Sequence, residues 1–557
     1  MDASNTLMNT TRRSRMTRGK QALIGTAVFA LTVASLYVAE NWRGRRAWNE
    51  YKRQFESKGK TLDWSKYIPP VVPDEQNIFK APGMSRFIKG QPATGISDRM
   101  QELNRVLQTG NSNGALVATL VIARVTNSDT GHHVSSLANA VAEIQARGSR
   151  RLSGATGVDF IDDFRKAKPV RIAIGAENAL SIDEIKTRLP NFSVRPGSSN
   201  EFEVILEKTT SASDYLEWSK SVQEEVEMIA TALKRPYARI EGDYRVPFSV
   251  PMANFVAIRS LAQMLGQQAQ CYLLAGKPDE ALARVTLVHQ MRAMLETAPT
   301  GKSSTLVEAM INVAIKGLYV AVIQDGLRLG AWRDAELAAL GEQLRTIDLL
   351  PLVNEAFNAE LVGMTHLAQT VPLSKIFSLG NEKRFQFFDL LPRGWIYQNM
   401  VAYARIMGRQ IDAVESALPL VTPRKIEEAT ASVESGLSRF SPYIYLARVG
   451  IPNTGKAFQV TTRNQTRIHQ AQIVCALERY RLARGEYPAR LEELVPEFLQ
   501  TIPRDLVGGE SMPYQRTAEK GFLLYSIGWN EKDDGGQASA DWKQGDWIWT
   551  SRHNHNH

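Results

Sequence analysis

The chain has 557 residues, of which 43% are hydrophobic and 22% charged; that balance excludes wholesale disorder, and the length calls for about three to four domains. Its net charge of +9 is localised, because residues 1–60 hold twelve Lys or Arg against four Asp or Glu and so carry +8 of it. The rest is close to neutral, which excludes a nucleic-acid surface built on net charge.

Residues 1–20 read as a basic cytoplasmic tail. The following run Gln21–Ala39 (QALIGTAVFALTVASLYVA) has no charged residue, and nineteen helical residues rise about 28 Å, enough for a bilayer core. Arg12, Arg13, Arg15, Arg18 and Lys20 precede it, Tyr37 and Trp42 mark its far end, and Arg43, Arg45 and Arg46 follow. The sequence therefore predicts a single-pass transmembrane anchor over 21–39. Basic residues on both sides leave the positive-inside rule undecided. The short tail and large C-terminal body favour an inner (cytoplasmic) membrane protein whose body faces the periplasm. A cleaved signal peptide is the rival, but Tyr37 is too bulky for a small-x-small site ending at Ala39, and Thr32-x-Ala34 is a weak substitute.

Residues 40–94 divide into a juxtamembrane helix and a Pro-rich spacer. Trp48, Tyr51 and Phe55 form one apolar stripe beside a basic face, the pattern of a helix lying at the membrane surface or continuing the anchor. Pro69, Pro70, Pro73 and Pro82 interrupt the next stretch and favour extended backbone.

A mixed α/β subdomain is predicted over 95–212. Residues 95–165 are helix-like, although the apolar run 115–125 also suits a buried strand. PVRIAIG (169–175) and EFEVILEK (201–208) alternate as strands do, with DEIKTRL as a helical turn between them.

Over 213–459 amphipathic helices follow one another with short breaks, a helical-hairpin domain. Leu261, Leu265, Ala269 and Tyr272 mark one face, Gly276-Lys277-Pro278 breaks the chain, and Asp279 and Glu280 open the next helix. This is similar to one tetratricopeptide-type hairpin. A second break at Leu329-Gly330-Ala331-Trp332 comes 54 residues later, the wrong interval for a 34-residue repeat, so irregular stacked hairpins are expected. The apolar segment 305–324 carries Glu308 and Lys316, which points to a buried helix and not a second span.

Catalytic patterns fail on inspection. PTGKSST (299–305) ends like a phosphate-binding loop, yet Glu296 stands at the first glycine position and a helix precedes it, so no nucleotide site is expected. His132 and His133 are adjacent and point apart on a regular element; His289, His366 and His469 are isolated. The tail His553, His555 and His557 is a candidate only for opportunistic metal binding. Cys271 and Cys475 each sit in an apolar helical pattern and read as buried hydrophobes. Glu224-Glu225 and Glu427-Glu428 lie on amphipathic helices as solvated faces, while acids brought together by the fold remain a route to hydrolysis.

Residues 460–557 hold the most specific pattern. A helix ends in Ala476, Leu477, Tyr480, Gly485, Tyr487 and Pro488; then come Pro503 and Asp505, the strand-like GFLLYSIG with Tyr525, Ser526 and Gly528, Gly535-Gly536, and Asp546 before a last strand. One helix on a small antiparallel sheet satisfies that order. The series resembles the C-terminal part of the major pseudopilin of type II secretion systems, and the whole chain resembles large uncharacterised envelope proteins of planctomycete and verrucomicrobial type. The resemblance implies a C-terminal α+β domain with a calcium site between the last strands, for which Asn530, Asp533, Asp534 and Asp546 are the candidate ligands. Asn530 stands where that family commonly has Asp, and Asp-Asp-Gly-Gly also makes tight turns. The anchor lacks the pilin processing pattern of a glycine followed by an apolar helix with an early Glu.

The expected fold is thus mainly α: an N-terminal transmembrane helix, irregular stacked hairpins, a small α/β insert and a pseudopilin-like C-terminal domain. The expected role is a membrane-anchored extracytoplasmic scaffold with protein partners, with no catalytic residues and no cofactor besides calcium. An anchored envelope hydrolase and an accessory subunit of a secretion or pilus-like machine are the alternatives.

Overall fold

A computed structural model describes residues 18–89, 170–173, 193–196, 201–205, 216, 219–220, 223–296, 305–372, 374–375, 389–415, 420–437, 441–518 and 520–551. All of 95–165, the DEIKTRL segment, His132, His133, residues 299–304 and the histidine tail lie outside them. Among the described residues the helices are α1 (Arg18–Ser57), α2 (Gln223–Ala232), α3 (Phe255–Leu274), α4 (Pro278–Gln290), α5 (Leu306–Leu329), α6 (Asp334–Arg345), α7 (Leu349–Thr370), α8 (Arg393–Glu415), α9 (Pro423–Leu437), α10 (Tyr445–Gly450) and α11 (Thr454–Arg484). The strands are β1 (Val170–Ala173), β2 (Ser193–Pro196), β3 (Glu201–Ile205), β4 (Tyr514–Arg516), β5 (Phe522–Ser526) and β6 (Trp547–Thr550). The protein is mainly helical.

Contacts group the chain into two compact units. The first takes the described parts of Met1–Leu62, Thr365–Ile406 and Glu434–Ile451; the second takes those of Asp63–Met364, Met407–Val433 and Pro452–His557.

In the first unit α1 is a single helix of 40 residues. Its N-terminal part is long and apolar enough to cross a membrane, and its apolar side chains from Leu23 to Val38 are exposed. Its C-terminal part is packed. Trp48, Tyr51 and Phe55 are buried, the Tyr51 hydroxyl donates to the Ala404 carbonyl at 3.0 Å, and the Trp48 and Tyr51 rings stack at 5.9 Å. Of the two readings of this stripe, the structure has the second: the helix continues the apolar run without a break, and its three rings are buried in the protein, with Tyr51 bonded to α8. Gly44 of α1 and Gly394 of α8 face each other so closely that a Cβ on either would strike the other helix's backbone.

The second unit is organised around α5, which packs against α3, α4 and α11. Contact on several sides explains its nearly continuous apolar sequence, and its buried Glu308, Lys316 and Asp325 accord with a core helix and not a second span. Thr305 and Glu308 close its N-terminus as a reciprocal capping box, and the helix ends at Gly330. The hairpin read from sequence is α3 and α4, broken at Gly276 with Pro278 at the first turn of α4. At the second break Trp332 lies against Gly326 and donates its indole N–H to the Ile323 carbonyl at 3.1 Å. Helix α11 packs on α5 and α6, and its Phe458 ring meets Phe357 of α7 at 4.8 Å. Burying a side chain of that size contributes roughly 1.5–3 kcal/mol.

The Pro-rich stretch is not a free spacer. Four short 3-10 turns between Trp64 and Phe87 bury Ile78, Phe79, Met84 and Phe87. Backbone bonds pin it to the second unit: Ile78 N–H to the Tyr237 carbonyl at 2.6 Å and Asn254 N–H to the Phe87 carbonyl at 2.6 Å. Proline blocks regular helix but leaves such turns open, so apolar residues without a period still reach a core.

Two antiparallel sheets occur among the described residues. One has the order β1-β3-β2, in which β1 and β3 match the strands read from sequence and β2 is an addition. The other, β4-β5-β6, follows α11 and packs on it through β5. The Gln470 amide of α11 reaches the Trp547 carbonyl of β6 at 2.6 Å.

Candidate functional site

The C-terminal motifs have a structural account. Asp505 is buried and accepts from the Val507 N–H at 3.2 Å, the Ser526 hydroxyl at 2.8 Å and the Ile527 N–H at 3.0 Å. The P-x-D turn thus holds the end of β5, where Y-S-x-G leads into the next loop. A carboxylate accepting several N–H and O–H donors is the stable way to bury such a charge.

That loop, between β5 and β6, contains the four residues expected to bind calcium. Asp546 is buried and accepts from the N–H groups of Asp534 at 3.3 Å and Gly536 at 2.6 Å. Burial pushes its carboxyl up, against the opposing pull of those two backbone bonds. Asp533 accepts from the Tyr525 hydroxyl at 3.2 Å and the Gly535 N–H at 2.9 Å. Asn530 donates its amide to Asp534 at 2.8 Å while its amide oxygen accepts from Lys532 N–H at 3.2 Å. Gly535 and Gly536, with φ of 71° and 79°, supply the left-handed backbone that lets the loop fold onto Asp546.

Calcium needs six to eight oxygens converging on one point. Here the named oxygens converge on N–H and O–H donors, and an amide N–H occupies the space between Asn530 and Asp534. Among the described residues no group of three or more His, Cys, Asp or Glu is placed to hold a metal. As folded, the side-chain oxygens of the loop are engaged by the chain's own donors. The first turn of α9 helps to hold it: the Trp529 indole donates to Glu427 at 2.8 Å, and the Arg424 N–H to Glu531 at 3.1 Å. Glu427 is thus a hydrogen-bond acceptor and not only part of a solvated face.

A second cluster joins residues that sequence spacing left apart. The Lys316 amine of α5, 1% exposed, donates to the His289 carbonyl at 2.8 Å and lies 3.4 Å from His289 Nδ1. Burial, reinforced by Arg292, lowers the amine to about 7; burial and then Lys316 lower the imidazole to about 3. The Tyr319 hydroxyl donates to Gln343 at 3.1 Å, and Gln343 donates to Thr286 at 2.8 Å. An amine tuned to neutrality is what general-base or imine chemistry uses. At 1% exposure, however, no solute reaches it, so the cluster acts as a polar tie between α4, α5 and α6. Signals existed in sequence only as Lys316 in an apolar helix and His289 ending another.

A cleft in the second unit is aromatic. Trp64, Tyr67, Phe79, Tyr244 and Phe248 line a cavity volume of about 70 Å3, with Glu308 and Thr305 at the N-terminus of α5 on its wall. Phe248 has φ of 62°, a conformation that residues with side chains avoid, and its ring centroid lies 6.4 Å from that of Trp64. The Trp64 indole donates to the Tyr244 carbonyl at 2.7 Å and the Tyr244 hydroxyl to Ile240 at 2.8 Å. Glu308 accepts from the Thr305 N–H at 3.1 Å, and Glu360, raised by burial, accepts from the Leu306 backbone. Both carboxylates therefore cap α5 instead of standing free as an acid and base pair. In the first unit a cavity of about 210 Å3 lies among Gln369, Asp389, Leu391, Arg393 and Tyr397.

His469, Cys271 and Cys475 are held within the second unit. His469 meets Gln465 at 3.1 Å and the Arg504 carbonyl at 3.2 Å, and burial lowers it. Cys271 and Cys475 are free and buried, which raises both thiols, Cys475 to about 12. No family model, curated protein or solved structure matches this chain.

Proposed function

We propose that the protein is a membrane-anchored extracytoplasmic scaffold that holds protein partners near the bilayer. The observation that carries this reading is α1: apolar side chains stand exposed along its first half, while the second half of the same uninterrupted helix is built into a folded unit. A soluble helix would bury that first half. For the hydrolase alternative, Glu308 and Glu360 offer no acid and base pair, because both serve as caps. The accessory-subunit reading keeps one supporting observation, the pairing of Asp505 with Ser526 that joins two of the pseudopilin-like motifs.

The test is crosslinking in intact cells followed by purification of the full chain in detergent. A partner recovered in stoichiometric amount is expected, and a chain that purifies alone after crosslinking overturns the scaffold. Protease added to spheroplasts is expected to digest the body; a body protected until the membrane is lysed reverses the orientation.

A further inference from the structure

The exit of α1 from its apolar run is flanked by two other segments of the first unit, whose heights along the helix can be read from their contacts. The Tyr37 hydroxyl donates to the Leu391 carbonyl at 3.3 Å, and Asn41 accepts from the Gly394 N–H at 2.8 Å. The turn before α8 is therefore level with the last residues of the apolar run. Leu390, in that turn, is 77% exposed.

A third segment joins at the same level. The Arg43 guanidinium lies 5.8 Å over the Tyr443 ring, and Trp395 meets Tyr443 edge-on at 6.3 Å. Asn399 fixes this segment to α8 through the Pro442 carbonyl at 2.7 Å and the Leu446 N–H at 2.9 Å. Trp42, 62% exposed, carries Arg46 over its ring at 5.4 Å. Aromatic rings with an apolar body and a polar edge, interleaved with arginine, favour the boundary between acyl chains and headgroups.

We infer that the first unit sits on the bilayer as a collar, with the Leu390 turn immersed at the acyl boundary and the arginines beside it meeting lipid phosphates. The proposal rests on the anchor reading above and adds to it a second, non-spanning contact. Continuity decides the occupant: a bilayer that surrounds α1 up to Val38 necessarily reaches the level of Tyr37, where the Leu390 turn is held.

The test uses the full chain in phospholipid vesicles with one nitroxide label at a time, at Leu390→Cys, Leu31→Cys or Gln54→Cys. The native thiols of Cys271 and Cys475 are buried and do not compete for the label. Gln54 is exposed and lies about 25 Å beyond Tyr37 along the helix. Each label is read by its relaxation with oxygen, which enters lipid, against a water-soluble nickel chelate. The expected oxygen-to-nickel ratio at Leu390→Cys is at least about threefold above that at Gln54→Cys and approaches that at Leu31→Cys. A ratio at Leu390→Cys equal to that at Gln54→Cys, with Leu31→Cys in lipid, overturns the collar and leaves the anchor standing. Water accessibility at Leu31→Cys overturns the anchor and the collar together.

Discussion

Gly44 and Gly394 meet backbone to backbone where α1 crosses α8. Neither position has room for a methyl group, so the crossing is set by the absence of side chains. Substituting Gly394→Ala or Gly394→Val forces the helices apart and exposes part of the contact made by Tyr51 with Ala404. The expected loss is about 1–3 kcal/mol, read by thermal unfolding of the purified protein. Gly341→Ala is the control, because nothing lies within 4 Å of that position; it is expected to leave stability unchanged or slightly raised. Equal melting of the two variants would refute the crossing.

Lys316 makes stability depend on alkaline pH. Its folded value of about 7 lies below the ordinary 10.5, so the unfolded chain binds more protons between those values and stability rises with pH across that window. The full rise is of order 5 kcal/mol. In Lys316→Met the slope between pH 7 and 10 is expected to flatten in urea unfolding. A slope unchanged by the substitution would show that the amine is hydrated in the folded protein.

His289 acts on the acid side. Its imidazole falls from 6.5 to about 3 on folding, so its contribution is complete above pH 6.5 and is lost as pH falls toward 3. His289→Asn removes that titration and is expected to reduce the acid sensitivity of unfolding over this range. Retention of the full acid slope would assign it to carboxylates instead.

Asp505 is the carboxylate on which the C-terminal strands depend. Asp505→Ala leaves the Val507 and Ile527 N–H groups and the Ser526 hydroxyl without their acceptor. The expected cost is roughly 2–4 kcal/mol, against about 1 kcal/mol for Ser526→Ala. Limited proteolysis is expected to cut Asp505→Ala first between β5 and β6. Equal protease resistance in the two variants would deny Asp505 that role.

The loop of Asn530, Asp533, Asp534 and Asp546 closes on its own hydrogen bonds. Melting in calcium and in chelator is expected to agree within about 1 °C. A rise in melting temperature with calcium would mean that Asn530 turns its amide oxygen inward and the carboxylates regroup around the ion.

Local chemistry was legible in the sequence where it acts over one or two turns. Gly276 and Pro278 mark the α3/α4 break, Glu308 and Lys316 identify α5 as a core helix, and the motifs after α11 announce a sheet. Contacts between distant residues leave no period to read. Gly44 meets Gly394, and Lys316 meets His289 across a helix boundary, so neither pair stands out in the chain. The segment from Trp64 to Phe87 misled for a related reason: 3-10 turns bury Ile78, Met84 and Phe87 at irregular spacing, and its prolines speak only for the backbone.

An unbroken α1 also has a mechanical meaning. About 27 Å of helix continues past Ala39 to Ser57, and Trp48 and Tyr51 are clamped in the protein along that length. A thicker or thinner bilayer changes the tilt that the apolar run adopts. On the proposed anchor reading, with no joint in α1 to absorb the change, α8 is levered with it, and lipid composition becomes an input to the posture of the first unit.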